Sequence, residues 1–193
     1  MKVNLGKKSK SASYGEKDVD ISTLDNDKVE KLMSHKDLVK ALDDWILSPD
    51  MKLVPKLIQL GKVVDDLYEI DSSPIYRGIT VSMMSGSYQN TMDLVETNWL
   101  GIPRLKEGIK VGYKFNYTAS SPTSFSYDIC IAREFGLLVV KSSMPDKGKR
   151  LVITNELNYI ISKRRNLKSV KSQDEVIAFN GAKLKCEVME IPR

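Results

Sequence analysis

The chain is 193 residues long, enough for one domain with a substantial core, or one domain plus a small helical appendage. Hydrophobic residues make up 41% and charged residues 28%, a balance that excludes a disordered chain, and the longest apolar runs are far too short to span a bilayer. The formal charge of +5 suggests an acidic partner, yet Lys2, Lys7, Lys8 and Lys10 supply most of it from the first ten residues, which contain no acid.

Two cysteines and one histidine exclude much chemistry. Cys130 and Cys186 sit in apolar surroundings, D-I-C-I-A and K-L-K-C-E-V, and read as buried thiols in a reducing compartment. No zinc-ligand spacing exists, and a nucleophile-histidine triad would have to use His35, which lies in a lysine-rich helical segment. The N-terminus has lysines but no apolar run behind them, so a secretory signal is not expected, and the chain is expected to be cytoplasmic.

Residues 1–20 are polar and without periodicity, and read as a flexible basic arm ahead of a single domain over 21–193. From Ser22 to Leu47, apolar residues recur at three- and four-residue steps, with Asp25 or Asn26 available as a cap. Leu53 to Ile70 repeats that helical pattern. After Pro74 comes the β-rich run I-Y-R-G-I-T-V, in which Arg77 shares the face of Ile75 and Ile79, and Gly78 suggests a close backbone approach.

Residues 82–98 read as a serine-rich loop and a short helix containing Met92, Leu94 and Val95, and 99–112 as a loop rich in Gly and Pro. Tyr113, Phe115 and Tyr117 alternate as in a strand. Ser126 or Asp128 is placed to cap a helix through Phe135, and 136–142 is a buried strand. Residues 149–161 are compatible with a helix or with a strand and loop, and 163–172 read as a basic loop. The Gln173–Phe179 run is a strand, Asn180 and Gly181 form a hairpin turn, and 184–191 is a last strand.

Within Gln173–Phe179 the two-residue period places Gln173 and Glu175 on one face with Ile177 and Phe179, so an amide and a carboxylate project together from a stiff, apolar-anchored element. Each such signal has an ordinary structural account when read alone. Q-x-E can be a solvated strand start, Arg77 an edge arginine in a salt bridge, and the Ser/Thr cluster a turn or helix cap.

In order, however, the three signals are aromatic-Arg-Gly, then Ser-x-Ser followed by A-x-x-F, then Q-x-E. Together they resemble the arginine/serine/glutamate signature of the toxin-related mono-ADP-ribosyltransferases. The contexts Y-R-G, S-F-S-Y-D-I-C-I-A-R-E-F and S-Q-D-E-V-I are most similar to the bacteriophage Alt/Mod-type enzymes. The resemblance covers about residues 74–191. It implies an α+β fold, with a helical prelude over 22–70 followed by a split two-sheet β core that binds NAD.

The same resemblance implies roles for individual residues. Glu175 would stabilise the positive charge that develops on the ribose as nicotinamide leaves, with no general acid and no metal needed. Ser124 would orient Glu175 and touch NAD, and Ser126 would support the local turn. Arg77 would hold the NAD phosphates or ribose, and Gly78 would let the nicotinamide amide meet the backbone. An alternative register places the serine motif at Ala119, Ser120 and Ser121. Gln173 would face the acceptor. Arginine-modifying members carry Glu there, and an amide cannot deprotonate a guanidinium, so Gln173 is more similar to the clostridial Rho-modifying exoenzymes.

The implied acceptor is a protein, of host transcription or translation machinery. Lys163, Arg164, Arg165, Lys168 and Lys171 lie where the family recognises its substrate, and suggest an acidic surface or a nucleic acid. Two other readings remain open: ADP-ribosylation of nucleic acid or simple NAD hydrolysis, and a non-catalytic basic nucleic-acid-binding protein.

Overall fold

The computed structural model describes residues 19–79, 92–100, 102–167 and 175–191. Among them the chain is α+β, with five helices, one large antiparallel sheet and one small two-stranded sheet. The basic segment 1–18 lies outside the described residues. Val19 and Asp20, the last two residues assigned to the arm, belong to the folded part: Val19 is buried, and the Asp20 side chain accepts the Ser22 N–H to start a 3₁₀ turn.

The first helical run is two helices, α1 (Asn26–Ser34) and α2 (Lys36–Leu47), broken at His35. Asp25 caps α1 by accepting the Lys28 N–H, which satisfies one of the free donors of a helix start. α3 (Val54–Leu67) follows, with Pro55 in its first turn, where no intrahelical donor is lost. Leu32, Leu42, Leu57, Leu60 and Val64 are fully buried, so the apolar stripes of all three helices face the common core.

The large sheet runs β4 (Lys114–Thr118), β9 (Lys183–Glu190), β6 (Leu138–Ser142), β1 (Ile75–Ile79), β5 (Thr123–Ser126), β8 (Glu175–Ala178), β7 (Arg150–Val152). It is one sheet rather than two separate ones, but it has a waist. Among the described residues β1 meets β5 at the single pair Tyr76↔Ser126, whereas β1 with β6 and β4 with β9 each run for five pairs. The expected split is therefore a narrowing between a four-stranded half and a three-stranded half.

Several expectations change. Met92–Val95 is not helical: Met92 and Asp93 have positive φ (52° and 62°), which no helix accommodates, and β2 (Val95–Thr97), where the short helix was expected, pairs with β3 (Pro103–Leu105), inside the expected loop. The apolar residues Met92 and Leu94, both 2% exposed, are spaced by two rather than by three or four. Residues 149–161 hold both alternatives, β7 and then α5 (Asn155–Arg164). α5 runs into the predicted basic loop, capped by Thr154, whose hydroxyl accepts the Leu157 N–H.

Asn180–Gly181 is not a hairpin turn, because β8 and β9 are not paired. The turn carries the chain from one half of the sheet to the other. It is held by the Gly181 N–H donating to Ala119 O (2.8 Å) and the Ala119 N–H donating to Ala182 O (2.9 Å), with Gly181 at φ 79°. A local N-G signal fixes the bend, and the buried strands on either side decide where it leads.

Two close approaches lock the helices to the sheet. A Cβ on Gly61 would stand 2.1 Å from Arg150 O, so α3 lies directly on β7. A Cβ on Gly78 would stand 1.8 Å from Ala132 O, so α4 (Ile129–Phe135) lies directly on β1.

Candidate functional site

Arg77, Ser124 and Glu175 meet at the waist, each from a different strand. β1 passes through the interior of the sheet, and Ile75 and Ile79, at most 4% exposed, pin the strand on either side of Arg77. The Arg77 guanidinium donates from Nη1 to Ser124 O at 2.7 Å. Its Nε is buried and has no hydrogen-bond partner among the described residues. Burial lowers its pKa, while Tyr117 and the Glu175 carboxylate nearby pull it back up. Arg77 is thus neither on an edge nor in a salt bridge among the described residues, as the ordinary account of the sequence had it. A buried donor left unsatisfied costs stability, and Asn158 Nδ2 is left in the same way.

Glu175 opens β8, opposite Ser126, and its carbonyl accepts the Ile153 N–H at 2.9 Å. Val176, Ile177, Ala178 and Phe179 behind it are fully buried, so the carboxylate projects from a fixed base. Its pKa is raised. Desolvation is the larger cause, opposed by hydrogen bonding with the Ser124 hydroxyl and by the Arg77 charge. A carboxylate in this setting is partly stripped of water and directed by its neighbours, which suits electrostatic work on a developing cation.

The two serines differ in their surroundings. Ser124 is exposed on β5 beside Glu175, with Phe125 and Thr123 buried on either side. Ser126 is buried and its hydroxyl accepts the Asp128 N–H at 3.0 Å, while Asp128 accepts the Cys130 N–H at 2.7 Å to cap α4. The alternative motif, Ala119–Ser121, falls in the connection between β4 and β5, where Ala119 is fully buried and Ser121 O accepts from the Thr123 hydroxyl. Ser124 is the serine brought to Glu175.

Gly78 permits a close backbone approach, but by α4: the space its missing Cβ would fill is taken by the Ala132 carbonyl. Gln173, Lys168 and Lys171 lie outside the described residues. Arg164 and Arg165 end α5 and are engaged rather than free: Arg165 Nε donates to Asp43 Oδ1 at 2.5 Å and its Nη2 to Asp43 O at 2.8 Å, and Arg164 reaches Asp43 Oδ2 at 3.4 Å. Lys163 sits 5.5 Å from the centre of the Tyr159 ring. The basic run therefore ties α5 to α2 as much as it faces a partner.

The sequence reading missed Tyr117 and Tyr76. Tyr117 is close enough to Arg77 to act on its charge, and Tyr76 stands in register with Ser126 and, through it, with Glu175. The signal for Tyr117 was present in its alternation with Phe115. What lay beyond the sequence was the strand order that puts β4 and β1 in the same half of the sheet.

Among the described residues no cluster of three His, Cys, Asp or Glu side chains is placed to hold a metal, and no helix is long and apolar enough to cross a membrane. No protein-family model, curated protein or solved structure matches the chain, so the motif resemblance stands beside the geometry without a relative to support it.

Proposed function

We propose that the chain is an NAD-dependent mono-ADP-ribosyltransferase that transfers ADP-ribose to a protein side chain. One observation carries this reading. Arg77, Ser124 and Glu175, far apart in sequence, converge at the sheet's waist with the carboxylate desolvated and one guanidinium nitrogen buried without a partner. An antiparallel core divided by a narrow waist, preceded by helices, is in keeping with the ADP-ribosyltransferase type.

The chemistry needs little else. Nicotinamide in NAD is a cationic ring and leaves as a neutral molecule, so no acid has to protonate it, and His35, between α1 and α2, has no part to play. Positive charge develops on the ribose, and in this reading Glu175 supplies the fixed negative charge that meets it. Ser124 keeps the carboxylate aimed. The free Nε of Arg77 suits a phosphate or ribose oxygen, and its charge helps keep Glu175 ionised. Gly78 serves packing in this scheme. The acceptor protein, on the phage resemblance, belongs to host transcription or translation machinery in the cytoplasm, and Gln173 argues against arginine as the modified side chain.

The test is nicotinamide release and label transfer from labelled NAD in a bacterial lysate. Glu175→Gln is expected to lower both by on the order of 100-fold or more, with NAD affinity largely kept. Protease should remove the transferred label. A wild-type chain that neither binds NAD nor releases nicotinamide would overturn the proposal.

A further inference from the structure

We infer that the end of one face of the four-stranded half-sheet that α4 leaves uncovered is a second binding surface, for a single-stranded nucleic acid. Strand register places Lys114, Glu187, Lys141 and Tyr76 in one transverse row on one face. The next row along holds Asn116 and Lys185, with Ser143 tied to Lys185 by two backbone-directed hydrogen bonds of 2.9 and 3.0 Å. The row after that holds Thr118 and Lys183. Neighbouring rows on a face are about 7 Å apart and neighbouring strands about 5 Å apart, so four lysines form a patch against a single carboxylate.

None of Lys114, Lys141, Lys183 and Lys185 makes a salt bridge among the described residues, unlike Lys40, Lys106 and Lys147 elsewhere. A groove of about 550 Å³ runs over this patch, lined by Lys114, Lys141, Lys185, Ser143, Pro74 and Phe115. That volume is within the range of small-ligand sites.

The chemistry favours a phosphodiester chain. Ammonium groups match phosphates as point charges without fixed geometry, and Ser and Asn side chains are common additional donors to phosphate oxygens. None of the residues in these rows is an arginine that could grip carboxylates in pairs. Half-buried Tyr76, in the row of Lys141, supplies a ring beside the cations, the combination on which an unpaired base stacks. The Tyr76 row continues through Ser126 to Glu175, so a strand lying here would end near the proposed reaction centre.

The full chain is titrated against a fluorescein-labelled 15-nucleotide single strand by anisotropy, at several salt concentrations, alongside a labelled 15-residue polyglutamate. The triple variant Lys114→Gln, Lys141→Gln, Lys185→Gln is expected to bind the oligonucleotide at least 10-fold more weakly, with a salt slope lower by about 2, as three lost phosphate contacts require. Glu175→Gln is expected to retain binding, which keeps this inference separate from the proposed chemistry. All three substitutions are on the surface, and unchanged thermal unfolding shows that the variant is folded. Wild-type affinity in the triple variant would overturn the inference and move binding to the N-terminal lysines, and tighter binding of polyglutamate would overturn it in favour of an acidic protein.

Discussion

On the proposed reading Glu175 would have to be ionised to stabilise a ribosyl cation, and burial holds its carboxyl above the ordinary glutamate range. The rate of nicotinamide release should therefore fall as pH drops through that raised value, higher than an exposed glutamate would give. Ser124 works against the shift by hydrogen bonding to the charged form. Ser124→Ala is expected to move the acid limb of the kcat/KM profile to still higher pH, with activity partly restored in alkaline buffer, as stopped assays from pH 5 to 9 would reveal. A fall in rate with no movement of the acid limb would mean that Ser124 only shapes the backbone. At Gly78 the expectation is about stability. A methyl there meets the Ala132 carbonyl, and Gly78→Ala should cost about 2–3 kcal/mol in urea unfolding, by displacing α4.

At the scale of elements, the helical layer is fixed to the sheet by a few buried polar contacts. Asp65 of α3, 1% exposed at its side chain, accepts from Arg150 Nε at 2.8 Å and from the Gly148 N–H at 3.1 Å, while Arg150 Nη1 donates to Pro145 O. Removing one partner strands the other charge, so Asp65→Ala should cost about 3–4 kcal/mol, measured by urea denaturation, with the β7 edge loosened first. Glu156 does similar work at the start of α5, accepting from the Tyr68 hydroxyl at 2.7 Å.

Much of this layout was legible in the sequence because periodicity reports burial. The stripes of α1 to α3, the alternation of β4 and the Asp128 cap could be read directly. The serine on β5 and the glutamate on β8 could be paired only through motif order; in the register Ser126 stands opposite Glu175, and Ser124 lies two residues along the strand. Other features lay beyond local signals. β2 and β3 are three residues each, too short for a period to show, and Arg164 and Arg165 read as free cations because Asp43, more than 100 residues earlier, gives no local sign of its role.

For the whole molecule, the decisive feature is the chain's passage through Asn180 and Gly181 from one half of the sheet to the other. Among the described residues β4 pairs only with β9, and β6 has β9 on one side, so the four-stranded half stays incomplete until residues 183–190 have been made. The three-stranded half waits in the same way for β8. During synthesis on a ribosome, then, helices α1 to α3 can form early, but neither half-sheet can close until nearly the whole chain has emerged. Such long-range pairing is slow to form. The guanidinium and the carboxylate of the candidate site belong to β1 and β8, so a nascent chain that has not yet made residues 175–178 has no assembled centre.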